Sequence, residues 1–380
     1  MKNKIISCVW MCLLWLLISN CVDKFNAHLP EGDTGLLVVE GNIISDSTVV
    51  FCLSRSFALD VDNIPEDYNQ IDAEVSVVGS DGSSLSAVPL RNGKYQVAVG
   101  TLNKDVSYSL KIVYDGNTYT SEPQTPLVTE AIDGISFEQP EDYGDIYIRV
   151  STHSEGAGYY LWDYEEDWEV RAQYYTRWFY DPKTDKVTVY DTAPYVQGWC
   201  HGEASKIWVG STESNTENRL KNKRLYSIAS NSLRVSYYYS TLMKQRKLSK
   251  GEYEYYQEKV KLNEEMGGLF TPQPSELPTN ISCSDPNKMV IGYVGVNMNV
   301  TESRFFISYK DIQYEDPLDC RLMEESEVKK HSINELYSMG YRIAYFMEME
   351  GYSWAKVGCT DVRDLGATLD KPSFWPDKIN

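Results

Sequence analysis

The chain contains no Cys-x-x-Cys, no His-x-x-x-His pair, no Gly-x-Ser-x-Gly elbow and no glycine-rich phosphate loop or dinucleotide fingerprint. These absences leave no sequence ground for a zinc or dithiol redox centre, an α/β-hydrolase nucleophile or a nucleotide fold. Histidine is scarce: four residues, at 28, 153, 201 and 331. His201 adjoins Cys200, but a structural, oxidised Cys200 is preferred to a catalytic dyad. No catalytic, cofactor-binding or metal-ligating residues are expected. Positive charge is also in deficit, with 36 Lys and Arg against 55 Asp and Glu and a net charge of −19. Such a chain repels phosphate backbones, so nucleic acid is not an expected partner. Its acidity reads as a solubility feature. No apolar run approaches the ~20 residues that a spanning helix needs.

What is present begins at the amino terminus. Lys2 and Lys4 precede an uncharged, largely apolar stretch over 5–18, the layout of a secretory signal. It ends Leu17-Ile18-Ser19-Asn20-Cys21, which resembles a bacterial lipobox, with Asn20 where a small residue is usual. The expected reading is a signal peptide over 1–20, diacylation of Cys21, and a tether over 21–35. Acyl chains contribute roughly 0.8 kcal/mol per buried methylene, so several anchor stably. The competing reading is an ordinary signal peptide with Cys21 incidental.

An exported chain meets an oxidising compartment, where disulfides are the default. Beyond Cys21 stand Cys52, Cys200, Cys283, Cys320 and Cys359, an odd number. Cys52, inside a strand pattern, is the expected free thiol. Spacing does not determine connectivity; the pairing adopted is Cys200–Cys283 and Cys320–Cys359.

Tyrosine (29 residues) and many short alternating runs indicate a mainly β protein. Residues 36–125 read as an immunoglobulin- or transthyretin-like sandwich, with runs at 36–43, 48–54, 73–78, 85–90, 94–99, 108–114 and 118–121. Asp81-Gly82, Asn92-Gly93 and Asp115-Gly116 punctuate them. Val75 and Val77 are expected to pack against Leu110, Ile112 and Tyr114. Asp60, Asp62, Glu66 and Asp67 read as a solvated loop, because the glycine of an EF-hand turn is missing. Glu122-Pro123-Gln124-Thr125-Pro126 reads as a stiff linker. Residues 126–380 then form a larger antiparallel β-rich domain with one or two helices.

In that domain Tyr160, Trp162, Tyr164, Trp168 and Val170 share one strand face, and Trp178, Phe179 and Tyr180 follow. Two readings stand: a sheet face packed on a second layer, which is preferred, or a sugar- or peptide-stacking platform carried by Trp162, Trp168 and Trp178. Asp163, Glu165, Glu166, Asp167 and Glu169 are assigned to the wet face of the same strand. A paired-carboxylate glycosidase is disfavoured, because acidic residues are too frequent here for any pair to carry weight. The firmest helix covers 249–266. Ser249 and Glu252 have capping-box spacing. Tyr253, Tyr256 and Val260 line one stripe and Tyr255, Leu262 and Met266 the opposite one, predicting a helix held between two layers. Gly267-Gly268 and Pro272, Pro274 and Pro278 end it. Positions 290–300 alternate as a half-buried strand. A second capped helix follows Ser332, and Phe374-Trp375 is expected to pin the terminus.

These residues carry a likeness. Leu37-Val38-Val39-Glu40-Gly41, Gly198-Trp199-Cys200, Gly267-Gly268-Leu-Phe-Thr-Pro-Gln-Pro-Ser275, Thr279-Asn-Ile-Ser-Cys283, Gly292-Tyr293-Val294 and Lys371-Pro-Ser-Phe-Trp375 follow the lipobox-like start. The chain resembles the Bacteroidota lipoproteins defined by the domain of unknown function 4249. The resemblance implies an outer-membrane lipoprotein beside a TonB-dependent receptor, without catalytic residues, and cysteines placed as at 200, 283, 320 and 359. Val22-Asp23-Lys24 lacks the acidic run of surface-export signals, which leaves both faces of the outer membrane open. Asp46-Ser47-Thr48 and Asp191-Thr192-Ala193 resemble Bacteroidota O-glycosylation sites, at Ser47 and Thr192. The expected function is non-enzymatic partnership with such a receptor in nutrient capture. A structural envelope module and a glycan or peptide hydrolase rank below it.

Overall fold

The computed structural model describes residues 35–57, 67–204, 206–265 and 277–377. Cys21, the acidic positions Asp60, Asp62 and Glu66, and Gly267-Gly268 with the run to Ser275 lie outside the described residues. The first strands are β1 (Leu37–Glu40), β2 (Ile43–Ile44), β3 (Ser47–Arg55), β4 (Glu74–Gly79), β5 (Ser84–Ser86), β6 (Val88–Pro89), β7 (Lys94–Val99), β8 (Tyr108–Tyr114) and β9 (Asn117–Ser121). There follow β10 (Ile132–Glu138), β11 (Ile146–His153), β12 (Tyr159–Arg171), β13 (Trp178–Asp181), β14 (Lys186–Val189), β15 (Gln197–Glu203), β16 (Trp208–Ser211), β17 (Arg219–Ile228) and β18 (Tyr238–Leu248). The helix α1 (Lys250–Glu265) leads to β19 (Ile281–Cys283), β20 (Val290–Gly292), β21 (Val296–Asn297) and β22 (Thr301–Ser308). Short helices α2 (Glu325–Val328) and α3 (Ile333–Ser338) precede the hairpin of β23 (Tyr341–Met347) and β24 (Gly351–Lys356).

The first unit is a sandwich of two five-stranded sheets, ordered β20-β1-β3-β7-β6 and β19-β9-β8-β4-β5. Period-two alternation sends Val49, Phe51 and Leu53 inward and leaves Thr48 and Val50 outside. Val75 and Val77 lie opposite Ile112 and Leu110 across β4 and β8. Asn92-Gly93 and Asp115-Gly116 turn the chain with positive φ at all four residues, which the side chains of Asn, Asp and Gly tolerate.

One edge strand of each sheet comes from far downstream. β19 pairs with β9, and β20 runs parallel to β1. Ile281, Val290, Val294 and Val296 join the first core. The expected division at 125/126 is therefore corrected: the first sandwich is discontinuous and closes only with residues 281–297. The expected strand over 290–300 is likewise two short pairings. Gly292 breaks it, at φ 139°, where a Cβ would lie 2.2 Å from the Val39 carbonyl oxygen.

This topology also explains the first of two cysteine outcomes. Cys283 sits on β19 against the first core, whereas Cys200 packs beside Val170 and Val362 in the second unit. The expected Cys200–Cys283 bond is thus not made, and both thiols are free. Cys320 and Cys359 are bonded, with their Cα atoms 5.6 Å apart. Cys52 is a free, half-buried thiol in β3 whose pKa is raised by burial.

The second unit packs the sheet β10-β11-β17 on the sheet β15-β12-β18-β22, with β16 extending the latter along β12. Between β17 and β18 the chain makes a 3-10 turn, Leu233–Val235, capped by Ser232. Trp375 docks at 4 % exposure, edge-on against the stacked rings of Tyr238 and Phe306, and donates from Nε1 to Glu169, 3.0 Å away. That contact, with the ion pairs near it, corrects the wet-face assignment for three of the five carboxylates, while Asp163 and Glu165 are half-buried. Glu166, Asp167 and Glu169 are buried, held by Arg234, by Arg304 with His201, and by Arg171 with Gln197, respectively. A carboxylate survives burial when cations and donors replace its water.

The helix α1 lies between the units, as its two stripes predict. Tyr253 and Tyr256 pack on Tyr159, Leu161 and Leu248, while Tyr255 meets Tyr293 of the first unit. The Ser249 Oγ accepts from the Glu252 N–H at 3.2 Å, and the Glu252 carboxylate is buried. Its Oε1 is 2.7 Å from Arg246 Nη1, which also donates to Asn297 Oδ1 at 3.1 Å. Gly295 is required opposite: a Cβ there would fall 2.4 Å from Glu252 Oε2.

Breaking such a buried pair strands the remaining charge. Arg246→Met is expected to cost about 3–5 kcal/mol in chemical denaturation, and Arg246→Met with Glu252→Leu distinctly less. Replacing Cys320 and Cys359 together by Ser is expected to cost about 2–4 kcal/mol in the same measurement.

Candidate ligand-binding site

Two hairpins, α3 and the segment after β24 form a satellite on the second unit. Leu336, Ile343 and Trp354 make its small core, with Trp178, Tyr180 and Val187 packed against it. The Cys320–Cys359 bond ties the segment to the loop before α2. Tyr174 clasps both cysteines, its N–H donating to the Cys359 carbonyl at 2.9 Å and its hydroxyl to the Cys320 carbonyl at 2.6 Å. α3 carries a complete capping box between Ser332 and Glu335. A 3-10 turn, Val362–Leu365, is capped by the Asp361 side chain and closed by Gly366 at φ 80°.

Between these parts lies a cleft of about 330 Å³. Trp178, Phe179 and Tyr180 on β13 and Tyr337 on α3 supply aromatic walls, and Trp354 and Ile343 the floor. Its polar groups are Arg342, Thr360, Asp361, Arg363 and Asp364. Arg363 is bidentate on Asp361, with Nη2 2.7 Å from Oδ2 and Nε 3.0 Å from Oδ1. Its guanidinium lies 3.3 Å from the centroid of Tyr195. Arg342 stacks 4.0 Å from the Tyr337 centroid, donates to the Tyr337 and Tyr341 carbonyls, and faces Asp364 at 3.4 Å. Burial pushes the Asp364 carboxyl above the usual carboxylate range, against the pull of Arg342. The Thr360 hydroxyl is 1 % exposed at residue level and has no hydrogen-bond partner.

The residues singled out from the sequence fall in different places. Trp162 is fully buried, its Nε1 donating to Gln245 at 2.8 Å, and Trp168 is wedged between two cores under Gly202. Trp162 is corrected from stacking surface to core and Trp168 to a half-buried position between two cores; of the three, only Trp178 reaches the cleft. Cys200 and His201 are neighbours in β15, so they point to opposite faces. His201 meets Asp167 at 2.8 Å, while burial raises the Cys200 thiol. The Ser47 hydroxyl donates to the Ile44 carbonyl at 2.7 Å, and Thr192 sits on an exposed bend. Among the described residues, no three His, Cys, Asp or Glu side chains converge for a metal. The polar half of the cleft carried no sequence signal, since it is assembled from positions 342 and 360–364 facing positions 178–180.

Comparison with known families decides the chain's kinship: the domain of unknown function DUF4249 matches residues 22–304. The chain belongs to the DUF4249 family. The match takes in both sandwiches as far as β22, and the DUF4249 region supplies Trp178 and Tyr180 to the cleft, whereas Arg342 and Asp361 lie beyond it. No curated protein matches the chain. Among solved structures it is similar to a two-domain fibronectin type-III segment of chicken tenascin, at 12% identity over 56% of this chain and 91% of that one, TM-score 0.15. It is also similar to a DUF4785 family protein of Legionella pneumophila, at 7% identity over 55% of this chain and 52% of that one, TM-score 0.16.

Removing the cation should expose the effect of burial on Asp364. In Arg342→Met the carboxyl is expected to titrate higher still, read by NMR titration. A folded-state pKa above the unfolded one favours folding in acid and forfeits that as pH rises through the folded value. The variant's stability deficit should therefore grow from acid toward neutral pH. Trp162→Phe leaves Gln245 Oε1 without its buried donor and should cost about 1–3 kcal/mol.

Proposed function

We propose that this DUF4249 protein is a lipid-anchored, non-enzymatic lipoprotein of the outer membrane that captures a small nutrient for a TonB-dependent receptor. The observation that carries the capture reading is the cleft. Aromatic walls surround a few convergent polar groups, the usual make-up of a small-molecule site. Its two carboxylates each face a guanidinium, an arrangement suited to orienting a ligand. The anchor rests on Lys2, Lys4, the apolar 5–18 stretch and Cys21. The receptor partnership rests on the family resemblance together with that anchor.

Two measurements test it. Mass spectrometry of the mature protein should find acyl chains, palmitate among them, on Cys21, and Cys21→Ala should leave the membrane fraction. Affinity purification of the tagged protein from detergent-solubilised envelopes should recover a TonB-dependent β-barrel. An unmodified amino terminus overturns the anchor, and the absence of any such barrel overturns the partnership.

A further inference from the structure

We propose that the cleft between the two hairpins binds a neutral carbohydrate, one or two sugar rings in size, gripped between the Trp178, Tyr180 and Tyr337 rings and the Arg342, Thr360 and Asp364 polar edge. The inference rests on the capture reading and gives its ligand a chemical class.

Charge balance narrows the class first. Two guanidinium groups and two carboxylates line the cleft, so its formal charge cancels. A phosphate or uronate would satisfy Arg342 and Arg363 but meet Asp361 and Asp364; an ammonium would meet the reverse. Hydrogen-bond type narrows it further. Carboxylates only accept and guanidinium groups only donate, whereas each sugar hydroxyl does both. A ring of hydroxyls can therefore serve both kinds of group from adjacent atoms without displacing either ion pair.

The Thr360 hydroxyl is a second, independent pointer. A buried hydroxyl without a partner is costly and uncommon. Thr360 lines the cleft, and a sugar hydroxyl that reached its buried Oγ1 would supply the missing bond. The rings provide the rest. A pyranose presents flat C–H faces, which pack on aromatic faces while its rim stays polar. The volume of about 330 Å³ sits near the lower end of ligand pockets, roughly 300–1,000 Å³, and limits the occupant to a small saccharide or one end of a longer chain.

The test is calorimetric titration of the purified full-length protein with maltose, cellobiose, lactose and mannobiose, with digalacturonate and trialanine as charged and peptide probes. At least one neutral disaccharide should bind, and neither digalacturonate nor trialanine should. Thr360→Val, nearly isosteric, should weaken that binding about three- to tenfold, and Asp364→Asn by more than about tenfold. Thr192→Val, on an exposed bend, should leave it unchanged. Binding of trialanine or digalacturonate in place of the neutral sugars, no heat with any neutral disaccharide at tens of millimolar, or wild-type affinity in both cleft variants overturns the inference. Receptor recovery and acylation at Cys21 are read separately, so their survival alongside absent sugar binding would remove the ligand class and leave the proposed partnership standing.

Discussion

The architecture turns on one buried charge pair. Arg246, at the end of β18, and Glu252, in the first turn of α1, meet where the second unit touches the first, and Asn297 of β21 completes the contact. Glu252 is fully buried; burial pushes its carboxyl up and Arg246 opposes that shift. Two desolvated charges are tolerable only when geometry and extra hydrogen bonds replace water. Here Arg246 has two acceptors, and Asn297 Nδ2 donates to the Lys247 carbonyl at 2.8 Å. The pair therefore dictates how the strand, the helix and the returning chain must sit together.

Around that point the units are joined more than once. The chain leaves the first sandwich through Gln124 to Glu130 and re-enters it at residues 281–297. The two passes bond to each other: Leu127 bridges Val296 and Met298, and Thr129 exchanges three hydrogen bonds with Asn299. A proline-flanked stretch that reads as a linker is thus one rail of a paired joint. Loop-closure entropy opposes bringing in strands from so far downstream. Buried apolar area at Ile281, Val290, Val294 and Val296 offsets it, at about 25 cal/mol per Å² removed from water. The satellite repeats the pattern on a smaller scale. A disulfide, a tyrosine clasp and one buried Trp354 hold three short segments in register, and the cleft is the space they leave.

Much of the β content was legible in particular residues. The alternation Val49, Phe51, Leu53 and the turns at Asn92-Gly93 and Asp115-Gly116 have local physical causes, side-chain period and positive φ, and appear in the fold as read. The two-sided stripe of α1 likewise led to its place between layers. The carboxylates of β12 were misjudged because a period-two pattern says which face a residue is on and nothing about what covers that face. The piece that covers Glu169, Trp375, lies some two hundred residues away, and Glu166 is met by Arg234 on the other face.

For this DUF4249 chain, the order of residues alone settled its mainly β class, its hairpin turns and its capped helices, because each follows from backbone sterics and hydrogen bonding within a few positions. Tertiary structure decided which strands close the first sandwich, which cysteines bond, and which tryptophans line a cleft. Those outcomes depend on distances between residues remote along the chain, which packing sets and spacing does not encode.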